Sequence, residues 1–147
     1  MVVDQNNFGA VQDAIDTGLQ DGLVELHSDT LRTVIDNMEA GKDALGRSWE
    51  PVTSSTLRSR EVRTSDPRPL VDTGTFRADI VSSSDVDASQ FIGVIGTTMD
   101  IGLYHELGAP EAGIPRRPIF GPAAKYARRN AHIIERNVNR QLLSALL

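Results

Sequence analysis

Cysteine is absent from the 147 residues, which excludes disulfides and thiol chemistry. Aromatic side chains make up 5% of the chain and hydrophobic residues 39%, enough for a modest core only. A fold this thin leaves long elements exposed or finishes burying them against partners. No apolar run approaches the roughly 18 residues of a membrane-spanning helix, and the N-terminus shows no signal-peptide pattern. The expectation is one soluble domain over 1–147, with no membrane contact, made in a cytoplasm-like compartment. Lysine is scarce as well: 13 of 15 basic residues are arginine, and Asp outnumbers Glu 13 to 7. Exposed charges are screened within about 3 Å at 1 M salt, so such acidity serves hydration, and the bias points to a halophilic host.

Catalytic constellations are equally sparse. Gly41 to Ser48 reads GKDALGRS, near the phosphate-cradling G-x-x-x-x-G-K-[ST]. Arg47 replaces the lysine, a helical pattern precedes the segment, and Trp49-Glu50-Pro51 follows it, so it reads as a helix stop and turn. His105-Glu106 begins H-E-x-x-H, but Ala109 stands where the second histidine belongs. His27 and His132 are too scattered to complete a zinc site, and Asp85 with Asp87 match no calcium-loop spacing. No serine lies in a nucleophile elbow. The sequence predicts no enzyme, no cofactor and no metal.

What is present is a segregated charge. Residues 1–41 carry eight acidic and one basic residue; 78–112 carry six acidic and no basic; 113–147 carry seven basic and one acidic. Acidic and basic regions so separated pair head to tail, within one chain or between copies.

From Phe8 to Met38 apolar residues recur at spacings of three and four, predicting one long amphipathic helix or two in series, stopped by Gly41. Gly18, Gly22 and Ser28 place a bend in its middle. Residues 53–68 are Ser/Thr-rich with Arg58, Arg60, Arg63 and Arg68, and read as a flexible loop or long hairpin. Asp72-Thr73-Gly74 is a turn. Phe76, Ala78 and Ile80 alternate as a half-buried strand, pairing with the β-branched run 90–97 across a turn at 83–89. Asp100 to Pro122 packs four glycines and four prolines and is too broken for a regular helix. In it Arg116 and Arg117 lie between Pro115 and Pro118 on stiff, extended backbone, a candidate docking strip. Pro122 then opens a second long helix to Leu147. The fold class is α+β: a small antiparallel sheet flanked by a long N-terminal and a long C-terminal helix.

Several short motifs follow one another in order: Gly46, Trp49, Pro51 and Thr53; Pro69 and Leu70, then Thr73, Gly74 and Phe76; a strand ending in Gly96; Tyr104, His105, Leu107 and Gly108; and Ile114, Pro115, Arg117, Pro118 and Phe120. In this order and with these gaps, residues 45–122 resemble the phage virion-morphogenesis or tail-completion proteins of tailed viruses. Val52 stands where leucine is usual, and His105 follows Tyr104 directly where the family places its histidine a few positions later. No role is therefore carried to that histidine.

The resemblance implies a structural virion protein forming a ring, commonly a hexamer, at the head-proximal end of the tail. Its partners would be copies of itself, the adaptor or stopper proteins below the portal and the tail tube protein. It would be assembled in the host cytoplasm. Trp49, Gly74, Phe76, Gly108, Pro118 and Phe120 are the expected structural anchors. Arg116, Arg117, Tyr104 and Glu106 are the expected subunit contacts, and Arg58, Arg60, Arg63 and Arg68 are expected to face the lumen or the adjoining ring, with non-specific contact to genomic DNA. The alternatives are a head-completion or minor capsid connector protein, and a DNA-binding packaging accessory protein whose arginine loop contacts phosphates.

Overall fold

The computed structural model describes residues 7–54, 56, 69–70 and 73–147. The loop expected at 53–68 falls almost wholly outside them, as do its four arginines. Among these residues the architecture is α+β and mostly helical, with one two-stranded antiparallel sheet.

Helix α1 (Phe8–Glu39) is a single rod of 32 residues. It stops where the sequence predicts. Gly41 takes a positive φ of 70°, and the N–H groups of Gly41 and Lys42 return to the carbonyls of Met38 (3.0 Å) and Asn37 (2.8 Å). This is the Schellman arrangement that satisfies otherwise orphaned carbonyls. The buried residues of α1 are Ala14, Gly18, Gly22, Leu26, Thr30, Val34 and Met38. They recur every four residues, 40° beyond a full turn at each step, so the stripe winds about 240° around the rod from end to end. One helix thereby meets different partners along its length.

The phosphate-loop-like segment is a closed turn. Buried Asp43 accepts the N–H of Leu45 (2.8 Å) and of Arg47 (3.0 Å) through its carboxylate, and Trp49 N–H returns to the Gly41 carbonyl (2.8 Å). The turn delivers Trp49 into the core.

Three sequence expectations need correction. Residues 75–83 are not a strand but helix α2 (Thr75–Ser83), launched from Gly74 with φ 82°. Phe76 and Ile80 stand one helical turn apart and both are buried; the alternation with Ala78 was compatible with either period, and packing selects the helix. The sheet is therefore smaller than expected. Strand β1 (Asp85–Asp87) pairs antiparallel with β2 (Ile92–Val94), so the partner of the glycine-dotted run is the acidic segment assigned above to a turn. Third, Asp100–Leu107 is a regular helix, α3, with Gly108 at its end.

The C-terminal helix is bent rather than continuous, as α4 (Phe120–Arg129) and α5 (His132–Leu146). At the break the Asn130 side-chain amide donates to the Tyr126 carbonyl (2.9 Å), a local bond that competes with helix continuation. α1 runs unbroken through Gly18 and Gly22. The two glycines serve as a close-packing site: a Cβ on Gly18 would lie 2.5 Å from Val138 Cα, and one on Gly22 2.6 Å from Ile134 Cα. α5 runs antiparallel to α1 with backbones nearly touching. Val34, Met38, Ala44, Trp49, Leu70, Phe76, Ile80, Ile119 and Ala123 form the core at the other end of α1.

Candidate assembly surface

Residues 105–121 form a strap fastened at both ends. Glu106 is its pivot: one carboxylate oxygen accepts the N–H of Ile119 (2.6 Å) and Phe120 (2.9 Å), and the other that of Gly121 (2.8 Å). These are the donors that the start of α4 would otherwise leave unsatisfied, and a negative charge is favoured there. Between the ends, Ala109 and Ile114 exchange backbone bonds of 2.9 and 3.0 Å. Gly108 (φ 77°) passes so close to Arg116 that a Cβ would lie 3.3 Å from the Arg116 Cβ. Only glycine suits that position.

The two arginines of the strap have different fates. Arg116 is exposed, with its Nε–H on the Glu106 carbonyl at 2.9 Å. Arg117, expected at a subunit contact, is only 5% exposed. Its Nε and Nη2 donate to the carbonyls of Glu50 (2.8 Å) and Pro51 (3.1 Å), and its own N–H to that of His105 (2.8 Å). The guanidinium is turned inward because two carbonyls of an extended segment match its donor fork. The Trp49 indole N–H reaches the Pro118 carbonyl at 3.2 Å, so strap and turn are joined twice.

Other expected anchors gather nearby. Phe76 and Phe120 each place a ring carbon 3.5 Å from where a Gly102 Cβ would stand. Gly74 supplies the left-handed entry to α2. Tyr104, half exposed, sits on the outer side of α3 with Leu103 and Leu107, while His105 faces inward. Glu106 works within the chain, as the cap of α4.

A second polar centre was not foreseen. Asp79 on α2 accepts the hydroxyls of Thr97 and Thr98, the Thr98 N–H (2.8 Å) and the Ser83 hydroxyl (3.4 Å). The Thr97 bond first, then those of Thr98 and Ser83, pull its pKa down to about 2. The carboxylate ties α2 to the residues entering α3. Similarly, the Tyr126 hydroxyl donates to Asp29 (2.7 Å) and is the main cause of a lowered Asp29 pKa, linking α4 to α1.

Outside these contacts the surface carries much apolar area. Leu103 and Leu107 on α3, Phe91, Ile92 and Val94 on the hairpin, and Leu143 and Leu146 on α5 are all exposed. Among the described residues no helix is long and apolar enough to cross a membrane. Comparison of the chain with protein-family models, curated proteins and solved structures finds no match in any of the three.

Proposed function

We propose that this chain is a structural virion protein of a tailed virus. It would form one subunit of a ring at the head-proximal end of the tail, completing the tail and joining it to the head. The observation that carries the reading is the convergence of the ordered motifs. Trp49, Phe76, Gly108, Arg117, Pro118 and Phe120 come from separate stretches of sequence, yet they assemble around one strap and core. A motif series that folds into one spatial unit is better support for the resemblance than the same letters scattered over the molecule. The thin core and the exposed apolar side chains of α3, the hairpin and α5 suit a subunit that finishes its burial against neighbours. The reading includes no catalytic step.

Electron microscopy of particles made without this protein tests it. Filled heads accumulating beside separate tails support the joining role. Heads that fail to retain DNA favour a head-completion or connector role, and intact infectious particles overturn the virion assignment. A DNA-binding accessory protein would instead show steeply salt-dependent retention on DNA.

A further inference from the structure

The hairpin has two unlike faces. Its register pairs Val86 with Gly93, Asp85 with Val94 and Asp87 with Ile92. Alternate residues of a strand share a face. Gly93 lies against α1, with its Cβ position 3.3 Å from His27 Cδ2 and 3.6 Å from Leu23 Cδ1. The His27 ring also bonds the Val94 carbonyl at 2.9 Å. The opposite face therefore presents Ile92 and Val94, 50% and 51% exposed, beside Asp87 and Asp85. A two-stranded hairpin needs a surface to pack against; α1 supplies it on one side, and the side chains of the other stand half exposed among the described residues.

The segments that build the hairpin and the stretch of α1 beneath it carry charge of a single sign. Residues 78–112 contain six acidic residues and no lysine or arginine, and the part of α1 beneath the hairpin, from Phe8 to Leu31, contains no lysine or arginine either. More than half of the large apolar side chains exposed among the described residues fall within 78–112. A fitting occupant carries apolar side chains and positive charge on one face.

The chain has such a face. Arg136, Arg140 and Leu143 stand at i, i+4 and i+7 on α5, all exposed, opposite the side on which Ile134 and Val138 meet Gly22 and Gly18. Arg136 pairs with Glu25 but remains 59% exposed. Arg140 bonds the Asn137 side chain at 2.5 Å, so both arginines are engaged within the chain on one edge, and their exposed edges with Leu143 form the part of this face that another molecule can meet. We propose that the outward face of the β1–β2 hairpin receives the outward face of α5 from a second copy of this chain. The aspartates meet the arginines, and Ile92 and Val94 meet Leu143. The two surfaces differ, so the contact is heterologous and propagates from copy to copy until it closes. It rests on the reading of the chain as a repeating subunit.

The test uses two double variants of the full chain, Ile92→Asp/Val94→Asp and Leu143→Glu/Leu147→Glu, at positions whose side chains are half or more exposed. Sedimentation velocity reads the assembly state, and circular dichroism verifies helix content. The wild type assembles beyond a dimer, and each variant alone sediments as a monomer. Their mixture gives a one-to-one dimer and nothing larger, because each retains the face the other has lost. A wild type that stays monomeric at high concentration, a variant that assembles like the wild type, or a mixture of folded variants that stays monomeric overturns the proposal. A wild type that assembles through this contact but is missing from particles overturns the virion reading and leaves the contact standing.

Discussion

Gly22 faces the backbone of Ile134 so closely that a single added methyl would lie 2.6 Å from its Cα. Helix propensity alone favours Gly22→Ala by about 1 kcal/mol. The clash outweighs that gain, since overpacking at a site without room costs about 1–3 kcal/mol. Gly18→Ala and Gly22→Ala are each expected to lower the urea midpoint, and the pair together to separate α5 from α1. An unchanged or raised midpoint for Gly22→Ala would disprove the close contact.

Glu106 caps α4 from more than ten residues away, with three N–H groups on one carboxylate. Glu106→Ala should destabilise the fold by about 2 kcal/mol, since hydrogen bonds to a charged acceptor are among the stronger ones. Glu106→Gln should lose part of that, because a neutral acceptor remains. Chemical denaturation of both variants, read against Glu111→Ala as an exposed control, measures the difference.

Arg116 and Arg117 are adjacent but should behave unlike each other. Arg117→Ala leaves the carbonyls of Glu50 and Pro51 without these donors and should cost about 2–3 kcal/mol, while Arg116→Ala, at the surface, should cost well under 1 kcal/mol. Arg117→Lys should fail to restore stability, because a point charge does not reproduce the fork. Loss of assembly in Arg117→Ala would thus report unfolding, and Arg116→Ala with Tyr104→Ala is the cleaner probe of a subunit contact.

Asp79 sets an acid limit. Its pKa is about 2 when folded, against 3.8 for an ordinary aspartate. A carboxyl with a depressed folded pKa binds fewer protons folded than unfolded, so its stabilisation is complete above about pH 4. It is lost as the pH falls from there toward 2. Asp79→Asn should be less stable than the wild type at neutral pH, and the gap should narrow between pH 4 and 2. A constant difference across that range, measured by denaturant titration at each pH, would show that the threonine bonds do not depend on its charge.

Much of the outline was legible in the chain. The three-and-four spacing from Phe8 to Met38 marked α1, and Gly41 marked its end, because amphipathic period and a left-handed stop act over a few residues. The misreadings share a cause as well. Phe76, Ala78 and Ile80 are too few to separate a period of two from one of 3.6, and the choice was made by the core into which Phe76 and Ile80 pack. Gly18 and Gly22 look like helix weaknesses until Val138 and Ile134 stand opposite them. For the arginines, position in the strip implied exposure, and only the carbonyls of Glu50 and Pro51, some 66 residues distant in sequence, explain why Arg117 turns inward. The capping role of Glu106 was hidden for a related reason, since the N–H groups it caps lie 13 to 15 residues further along the chain. The outward face of the hairpin had a signal that could have been used: Asp85 and Asp87 alternate across Val86, as a strand with one acidic face would.

The winding of the buried stripe on α1 gives the rod a fixed phase. Residues 14–22 must present their small side chains to α5 while residues 34–38 present theirs to the core, and a helix advances about 100° per residue. Inserting or deleting one residue between Leu23 and Leu31 would rotate one end out of alignment with the other, whatever the letter added. An insertion of a full seven would nearly preserve the angle yet shift the arm by about 10 Å along its axis. Length changes should therefore be confined to the outer end of α1, before Ala14, where the rod answers to one neighbour instead of two.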